Sequence, residues 1–360
     1  MMKNRVIIGM SGGVDSSVAA YLLKEQGYEV IGVTMKLRNN EDFEKDSGQD
    51  SCCSLSAVDD ARRVCDSLEI PFYVMNFTEI FEEKVVNYFI DEYFKGKTPN
   101  PCIACNKYVK FDALLKKAEA LGAQYVATGH YARILHDKNL NRYLVKKSAT
   151  ASKDQTYVLY NLVQSQLEHI LMPLGDYTKE ETRQIAMKLN MDVADKPDSQ
   201  EICFVENNDY GKFLEQKKGN HIKPGTFLDM DGNVLGTHKG IIHYTVGQRK
   251  GLGIALGKPM FVVNIIPEKN QVILGEEKEV FKKELIAINM NYMPFDRLEN
   301  PMRVQAKIRY SAKESNAWAV SIGEDKVKLV FDEAQRAITP GQAVVLYQDD
   351  YLIGGGVILK

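Results

Sequence analysis

Short apolar runs alternate with helical patterns of apolar positions in the N-terminal part of the chain. Val6–Ile8 is an apolar run typical of a buried strand, and residues 17–23 follow it with helical spacing. Gly27 fits the position just after a helix end, and Tyr28–Met35 has the pattern of a second strand. Residues 5–36 therefore predict a β-α-β unit.

The same alternation continues beyond that unit. Because strands separated by helices form parallel sheets, the pattern predicts a doubly wound sheet with its ligand at the carboxyl ends of the strands. Residues 38–51 are charged and contain glycine, which predicts a mobile loop. The next predicted elements are a helix at Val58–Leu68, strands at Phe72–Met75 and Tyr125–Ala127, and a long helix at Ile80–Phe94.

After about residue 205 short β-like runs separated by glycine-containing turns replace the helical patterns. The last eighty residues predict a small barrel or sandwich, with strands at Val304–Ile308, Ala317–Ser321, Val327–Phe331, Ala343–Tyr347 and Leu352–Leu359. The predicted fold is α/β, with a nucleotide domain at 1–205, a small mixed middle domain at 206–280 and a C-terminal β-barrel-like domain at 281–360.

Composition narrows the class of protein. A formal net charge of −2 gives no global basic field, so any nucleic-acid site must be a local patch. No apolar stretch approaches the ~20 residues of a membrane span, and no signal-peptide pattern precedes the first strand, so we expect a cytoplasmic protein. Six cysteines in such a chain favour metal binding or redox chemistry over a disulfide framework.

A glycine-rich stretch between the first strand and the first helix is the strongest functional signal. Backbone N–H groups in such a turn can approach an anion closely, and a helix N-terminus favours negative charge. The stretch lacks the Gly-Lys-Ser/Thr ending of a Walker A loop and does not fit Gly-x-Gly-x-x-Gly. We therefore predict a nucleotide-binding loop of another kind, formed by Gly9, Met10, Ser11, Gly12, Gly13, Val14, Asp15 and Ser16.

Three further stretches carry residues suited to chemistry. Thr98–Lys107 contains Pro99, Pro101 and a Cys-x-x-Cys pair, and its prolines predict a rigid extended loop. Asp198–Val205 contains Cys203, and Gly247–Gly253 contains adjacent basic residues.

Together these stretches resemble the bacterial tRNA-specific 2-thiouridylases, members of the PP-loop ATP pyrophosphatases. The resemblance covers essentially the whole chain, because motifs from all three regions occur in the family's order. It rests on the loop Ser11–Ser16, the three stretches above, Ser152–Gln155, Arg309-Tyr310 and Thr339–Gln342.

The resemblance implies ATP-dependent replacement of the C2 oxygen of a wobble uridine in tRNA by sulfur. An adenylate would activate this poor leaving group, and a cysteine persulfide would supply sulfur as a soft nucleophile. By resemblance, Cys203 carries a persulfide delivered by a partner protein, and Cys105 releases the sulfur from it. The two cysteines would then form a disulfide for a reductant to open.

The resemblance also assigns binding residues. For ATP it implies Gly9 through Ser16, Met35 near the adenine, and Gly129, with Mg²⁺ at the phosphates and Asp15 as a carboxylate beside it. We expect a monomer whose partners are tRNA and a persulfide donor. For tRNA the family implies Asn100, Pro101, Cys102, His130, Lys153, Asp154, Gln155, Arg309, Tyr310 and Gln342. Gly247–Gly253 is either an RNA-facing loop or a solvated turn.

Cys102 occupies a position where much of the family has an aspartate. It is a tolerated replacement, a thiol that resolves a persulfide or disulfide, or, with Cys105 and Cys203, a ligand of a [4Fe–4S] cluster. We favour the persulfide route, because the cluster lacks an evident fourth ligand. Two rival functions remain: a PP-loop synthase acting on a small molecule, and a zinc or iron–sulfur protein that binds RNA.

Overall fold

The computed structural model describes residues 4–38, 55–194, 196, 202–219, 222–255 and 257–360. Apart from Arg38, the predicted loop at 38–51 lies outside the described residues, and so do Cys52, Cys53 and the first four residues of the stretch Asp198–Val205. The chain divides into two compact units. The first contains residues up to Val86, Cys102–Cys203 and Asp350–Leu352, and the second contains Asn87–Pro101, Phe204–Asp349 and Ile353–Lys360.

A five-stranded parallel sheet forms the centre of the first unit. Its spatial order is β3-β2-β1-β4-β7, so the strand that precedes the glycine-rich stretch is central. The central strands β1 and β4 are apolar and mostly buried, as strands covered on both faces must be, whereas the edge strand β3 is largely exposed. The strands are β1 (Arg5–Gly9), β2 (Glu29–Lys36), β3 (Phe72–Asn76), β4 (Tyr125–Ala127) and β7 (Ile170–Leu171).

Helices pack on this sheet through buried aliphatic side chains. Val18 and Leu23 of the first helix and Val64 of the second join Val6 and Ile8 of β1 in one apolar cluster. In chain order the helices up to residue 188 are α1 (Val14–Glu25), α2 (Leu55–Ser67), α3 (Thr78–Phe81), α4 (Tyr88–Phe94), α5 (Pro101–Ala104), α6 (Leu114–Ala120), α7 (Gln164–Leu167) and α8 (Lys179–Lys188); of these, α4 belongs to the second unit. Wider π-helical turns occupy Glu82–Asn87 and Cys105–Ala113.

The predicted extended loop at Thr98–Lys107 is wrong in its second half. Helix α5 begins at Pro101 and is followed directly by the π-helical segment Cys105–Ala113. Proline is favoured at the first position of a helix, where its missing N–H has no intrahelical partner to lose. Cys102 and Cys105 therefore lie on a helical segment.

The first unit also contains an antiparallel hairpin, β5 (Ala132–Asp137) and β6 (Arg142–Lys147). Tyr351 and Leu352 pair with Lys146 and Val145 of this hairpin.

The second unit contains a small mixed sheet and a closed barrel. The mixed sheet has the order β10-β11-β8-β9 and a core that includes Phe227, Val262 and Leu274. Its elements are α9 (Tyr210–Lys218), β8 (Gly225–Leu228), β9 (Val234–His238), β10 (Phe261–Ile266) and β11 (Gln271–Gly275).

Six strands form the barrel in the order β12-β15-β14-β13-β16-β17, and pairing of β12 with β17 closes it. Alternate residues such as Ala317, Leu329 and Val344 fill the interior. The strands are β12 (Phe281–Tyr292), β13 (Met302–Lys307), β14 (Ser315–Gly323), β15 (Lys326–Arg336), β16 (Ala343–Gln348) and β17 (Tyr351–Ile358).

The predicted fold class is confirmed: a parallel α/β sheet, a small middle domain and a C-terminal β-barrel. No helix among the described residues is both long and apolar enough to cross a membrane.

Candidate functional site: a glycine-rich loop and a cysteine helix

The glycine-rich loop connects β1 to α1 and is held by short-range hydrogen bonds. The Ser11 N–H lies 3.2 Å from Ser16 Oγ, and the Ser16 and Ser17 hydroxyls donate to Gly13 O at 3.1 and 2.9 Å. Gly12 has a φ of +69°, and a Cβ there would lie 2.3 Å from Ala57 O. Gly13 at the N-cap has no side chain to occupy the first N–H groups of α1, so those donors suit an anion.

Two predicted ATP contacts lie beside this loop. A Cβ on Gly129 would lie 2.8 Å from Ser16 N and 2.9 Å from the carbonyl carbon of Asp15, so only glycine lets the two segments approach so closely. Met35 is the penultimate residue of β2, and its Cε would lie 3.6 Å from a Cβ added to Gly9. The structure thus brings Gly129 and Met35 to the glycine-rich loop.

Asp15 is fixed by two residues that the sequence analysis did not single out. Lys179 Nζ lies 2.6 Å from Asp15 Oδ1, and the Tyr131 hydroxyl donates to the same oxygen at 2.8 Å. The Lys179 side chain is only 7% exposed, so its ammonium group pairs with Asp15 largely out of contact with water. Lys179 begins α8, which is capped by Thr178 and Glu181 in a reciprocal pair of hydrogen bonds. The Thr-x-x-Glu pattern is a sequence signal for the start of a helix, and it would have placed Lys179 in the first turn of α8.

The stretch Lys153–Gln155 connects to the same group of residues. Gln155 Oε1 accepts from the Tyr131 N–H at 2.9 Å, and the Tyr131 side chain reaches Asp15. The Asp154 carboxylate accepts from Ser148 N and Thr156 Oγ1 at 3.2 and 2.6 Å, which stabilises the turn. Lys153 is half-buried in that turn.

His130 is a buried, neutral histidine. It is 8% exposed, its Nδ1 lies 2.7 Å from Thr128 Oγ1, and its ring centroid is 5.8 Å from that of Phe111. Burial, with a smaller effect from the Lys110 charge, lowers the pKa of His130 well below its ordinary value. In this conformation the His130 ring offers hydrogen bonds and an aromatic surface without a positive charge.

The helical segment that begins at Pro101 carries two of the predicted functional cysteines. Cys102 is exposed, and Cys105, three residues later, is half-buried. Residues three apart on a helix lie on the same side. The adjacent Asn106 is buried, and its Nδ2 donates to Val158 O at 3.2 Å, which connects the segment to the turn after Gln155.

Cys203 is half-buried and belongs to the same unit as Cys102 and Cys105. Within the described part of the chain, no group of three or more His, Cys, Asp or Glu side chains is arranged to hold a metal ion. The [4Fe–4S] cluster on these three cysteines, which the sequence analysis kept as an alternative to the persulfide route, therefore has no geometric support. Cys65 is buried, and burial raises its pKa to about 12, so it stays a thiol at neutral pH.

The remaining predicted tRNA residues belong to the second unit. Gln342 Nε2 donates to Thr98 O at 2.8 Å, two residues before Asn100 and three before Pro101. Arg309 is half-buried, and its guanidinium donates to Arg336 O. Tyr310 is 47% exposed, with Lys307 Nζ 5.5 Å from its ring centroid.

Sequence comparison matches the whole chain. Residues 4–207 match a family described as tRNA methyl transferase HUP domain, residues 211–276 a tRNA methyl transferase PRC-barrel domain, and residues 282–358 an aminomethyltransferase beta-barrel domain. The tRNA-specific 2-thiouridylase MnmA of Clostridioides difficile (strain 630) is 61% identical over 359 residues, covering 100% of this chain and 99% of that protein. The MnmA of Acetivibrio thermocellus is 61% identical over 358 residues, covering 99% and 100%.

The fold defines an α/β protein of the HUP class, with the glycine-rich loop at the end of the central strand β1. The full-length matches are more specific. The chain belongs to the family of tRNA-specific 2-thiouridylases. Among solved structures, the NMN synthetase from Francisella tularensis matches with a TM-score of 0.32 and 13% identity over 61% of this chain and 78% of that one, too low to carry an argument.

Proposed function

We propose that this protein catalyses ATP-dependent 2-thiolation of the wobble uridine of tRNA. The observation that carries the proposal is the loop at the end of β1, where Gly12 and Gly129 allow a close approach that a side chain would block. The relatives that match over their full length are named for this activity. A small-molecule synthase would not account for those full-length matches.

In the proposed activation step, the uridine C2 oxygen attacks the α-phosphate of ATP and pyrophosphate leaves. The N–H groups at the start of α1 would hold the departing phosphates. Asp15 would stand beside a magnesium ion through Oδ2, since Lys179 and Tyr131 both contact Oδ1. The ion would neutralise phosphate charge.

In the proposed transfer step, Cys203 carries a persulfide received from a donor protein. The Cys105 thiolate attacks the Cys203 sulfur, forms a Cys105–Cys203 disulfide and releases hydrosulfide. The hydrosulfide attacks C2, and AMP departs with the former C2 oxygen. An external dithiol then reduces the disulfide, which restores both thiols.

The remaining assignments complete the proposal. Asn100, Pro101 and Cys102 would lie around the target base, and Met35 near the adenine. His130, Lys153, Asp154, Gln155, Arg309, Tyr310 and Gln342 would contact or position the tRNA. We propose that the enzyme acts as a monomer in the cytoplasm.

The products of ATP test the activation step. With tRNA, a persulfide donor and ATP labelled at the α-phosphate, we expect labelled AMP in step with 2-thiouridine measured by nucleoside analysis. The Asp15→Ala variant should form no adenylate yet retain most of its affinity for tRNA. Labelled ADP as the tRNA-dependent product would contradict the proposed chemistry.

Single cysteine variants test the transfer step. We expect Cys203→Ser to lose both persulfide loading and thiolation, and Cys105→Ser to retain loading and lose thiolation. Cys65→Ala, at a buried thiol, is the matched control and should do both. Mass spectrometry of the loaded variants reports the sulfur, and a persulfide found on Cys105 instead of Cys203 would reverse the assigned roles.

A further inference from the structure

The stretch Gly247–Gly253 is a fixed loop that holds basic residues at the surface. The Gly247 N–H donates to Val262 O at 2.7 Å, and the Val262 N–H donates to Gln248 O at 2.9 Å. Gly247 has a φ of +88°, and a Cβ there would lie 2.4 Å from the Ala337 Cβ. Leu252 anchors the loop in the core of the middle sheet, while Arg249 is exposed.

A surface hollow of about 510 Å³ lies beside this loop. We call it the basic hollow, and its charged and aromatic lining consists of Arg249, Lys258, Phe261, Glu276, Glu277 and Arg336. Three cations thus face two carboxylates in a chain whose net charge is −2.

Arg336 connects the basic hollow to residues already assigned to tRNA. Its guanidinium lies 5.5 Å from the Phe261 ring centroid and donates to Gly247 O at 3.4 Å. Its backbone carbonyl accepts from the Arg309 side chain. Arg309 precedes the exposed Tyr310, so the hollow adjoins a cation and an aromatic ring of the kind that contacts unpaired RNA.

The acidic residues of the basic hollow form only weak ion pairs with its cations. Lys258 Nζ lies 2.7 Å from Glu276 Oε1, but both side chains are about half exposed, so water screens the pair. Arg336 Nε is 3.9 Å from Glu277 Oε1, longer than a hydrogen bond. A phosphate, whose charge is fixed and whose oxygens accept several hydrogen bonds, can replace such partners.

We propose that the basic hollow binds a backbone phosphate of RNA, and of tRNA in particular, with Arg249, Lys258 and Arg336 as its cations. This inference rests on the proposed function, because that function supplies the RNA. A free nucleotide offers the same phosphate chemistry, but the adjoining Arg309 and Tyr310 favour a chain that continues along the surface.

Two substitutions that remove charges of opposite sign test the proposal. In the full-length protein without ATP, Lys258→Gln should weaken tRNA binding about threefold and reduce the slope of log K against log salt by about 1. Glu276→Gln removes the competing charge, keeps an oxygen for the turn that it caps, and should tighten binding about twofold. If tRNA affinity falls in one variant and rises in the other, misfolding cannot be the common cause of the two changes.

Lys326→Gln is the matched control. Lys326 is exposed at the start of β15, ten residues before Arg336 at the end of that strand, and it is not among the residues that line the basic hollow. We expect its affinity for tRNA to stay within error of the unmodified protein, and the KM for ATP to stay unchanged in all three variants.

Several results would overturn the inference. Unchanged tRNA affinity in Lys258→Gln and Glu276→Gln would remove the basic hollow from RNA binding while leaving 2-thiolation intact. A raised KM for ATP with unchanged tRNA affinity would assign the hollow to a nucleotide. Conversely, tRNA binding that responds as expected in a protein that forms no 2-thiouridine would support the hollow and refute the proposed function.

Discussion

At the scale of single residues, Asp15 is defined by its partners as much as by its place in the glycine-rich loop. Lys179 and Tyr131, both distant in sequence, contact its Oδ1, and Thr182 Oγ1 lies 3.1 Å from the Tyr131 hydroxyl. The sequence located Asp15, because the Ser-Gly-Gly-x-Asp-Ser pattern is local. It could not locate Lys179, since a lysine in the first turn of a helix is ordinarily a solvated residue and nothing local marks its burial.

Replacing Lys179 tests whether this pair positions Asp15. Lys179→Met should lower the free energy of unfolding by only about 1–2 kcal/mol, because Asp15 is 31% exposed and water replaces part of the lost interaction. It should also raise the KM for ATP more than it changes tRNA affinity. Urea denaturation and steady-state kinetics measure the two effects.

Lys188→Met, an exposed lysine at the other end of α8, is the control and should leave both quantities unchanged. An unchanged KM for ATP in Lys179→Met, with only the stability reduced, would limit Lys179 to a structural role.

At the scale of secondary-structure elements, the sequence predicted the helices and strands in which apolar residues recur with a clear period. Four of the five strands of the parallel sheet and five of the six barrel strands are confirmed, because continuous or alternating apolar runs have few other solutions; β7 and β12 were not predicted. The helix at Ile80–Phe94 is also confirmed in extent, although a π-helical turn at Glu82–Asn87 widens its middle. Hydrophobic spacing does not encode such a turn.

The helix that begins at Pro101 was predicted to be an extended loop. Two prolines favoured an extended reading, but only Pro99 precedes the helix, while Pro101 starts it. The consequence is functional, since Cys102 and Cys105 are held three residues apart on one helical segment. The hairpin β5–β6 was missed for a different reason: its strands mix polar and apolar residues on partly exposed faces.

At the scale of the whole molecule, residues far apart in sequence are joined within each unit. In the second unit the turn at Thr339–Gln342 holds the segment that leads to Asn100. The Thr98 N–H donates to Pro340 O at 2.9 Å, and a Cβ on Gly341 would lie 2.9 Å from Thr98 N. The sequence marked both stretches as motifs, but their contact depends on barrel closure, which no local pattern reveals.

From this contact we predict that Gln342 positions the tRNA-binding segment and does not touch the tRNA itself. Its Nε2 donates to Thr98 O, so we expect Gln342→Leu to act by loosening the approach to Asn100–Cys102. The variant should lose about 1 kcal/mol of stability, react faster at Cys102 with a thiol reagent, and thiolate tRNA with a lower kcat. Gln348→Leu, which loses a similar bond from Nε2 to Arg303 O on an exposed part of the barrel, should leave the thiol reaction and kcat unchanged. If Gln342→Leu instead raises only the KM for tRNA, with Cys102 reactivity and stability unaltered, Gln342 contacts the tRNA directly.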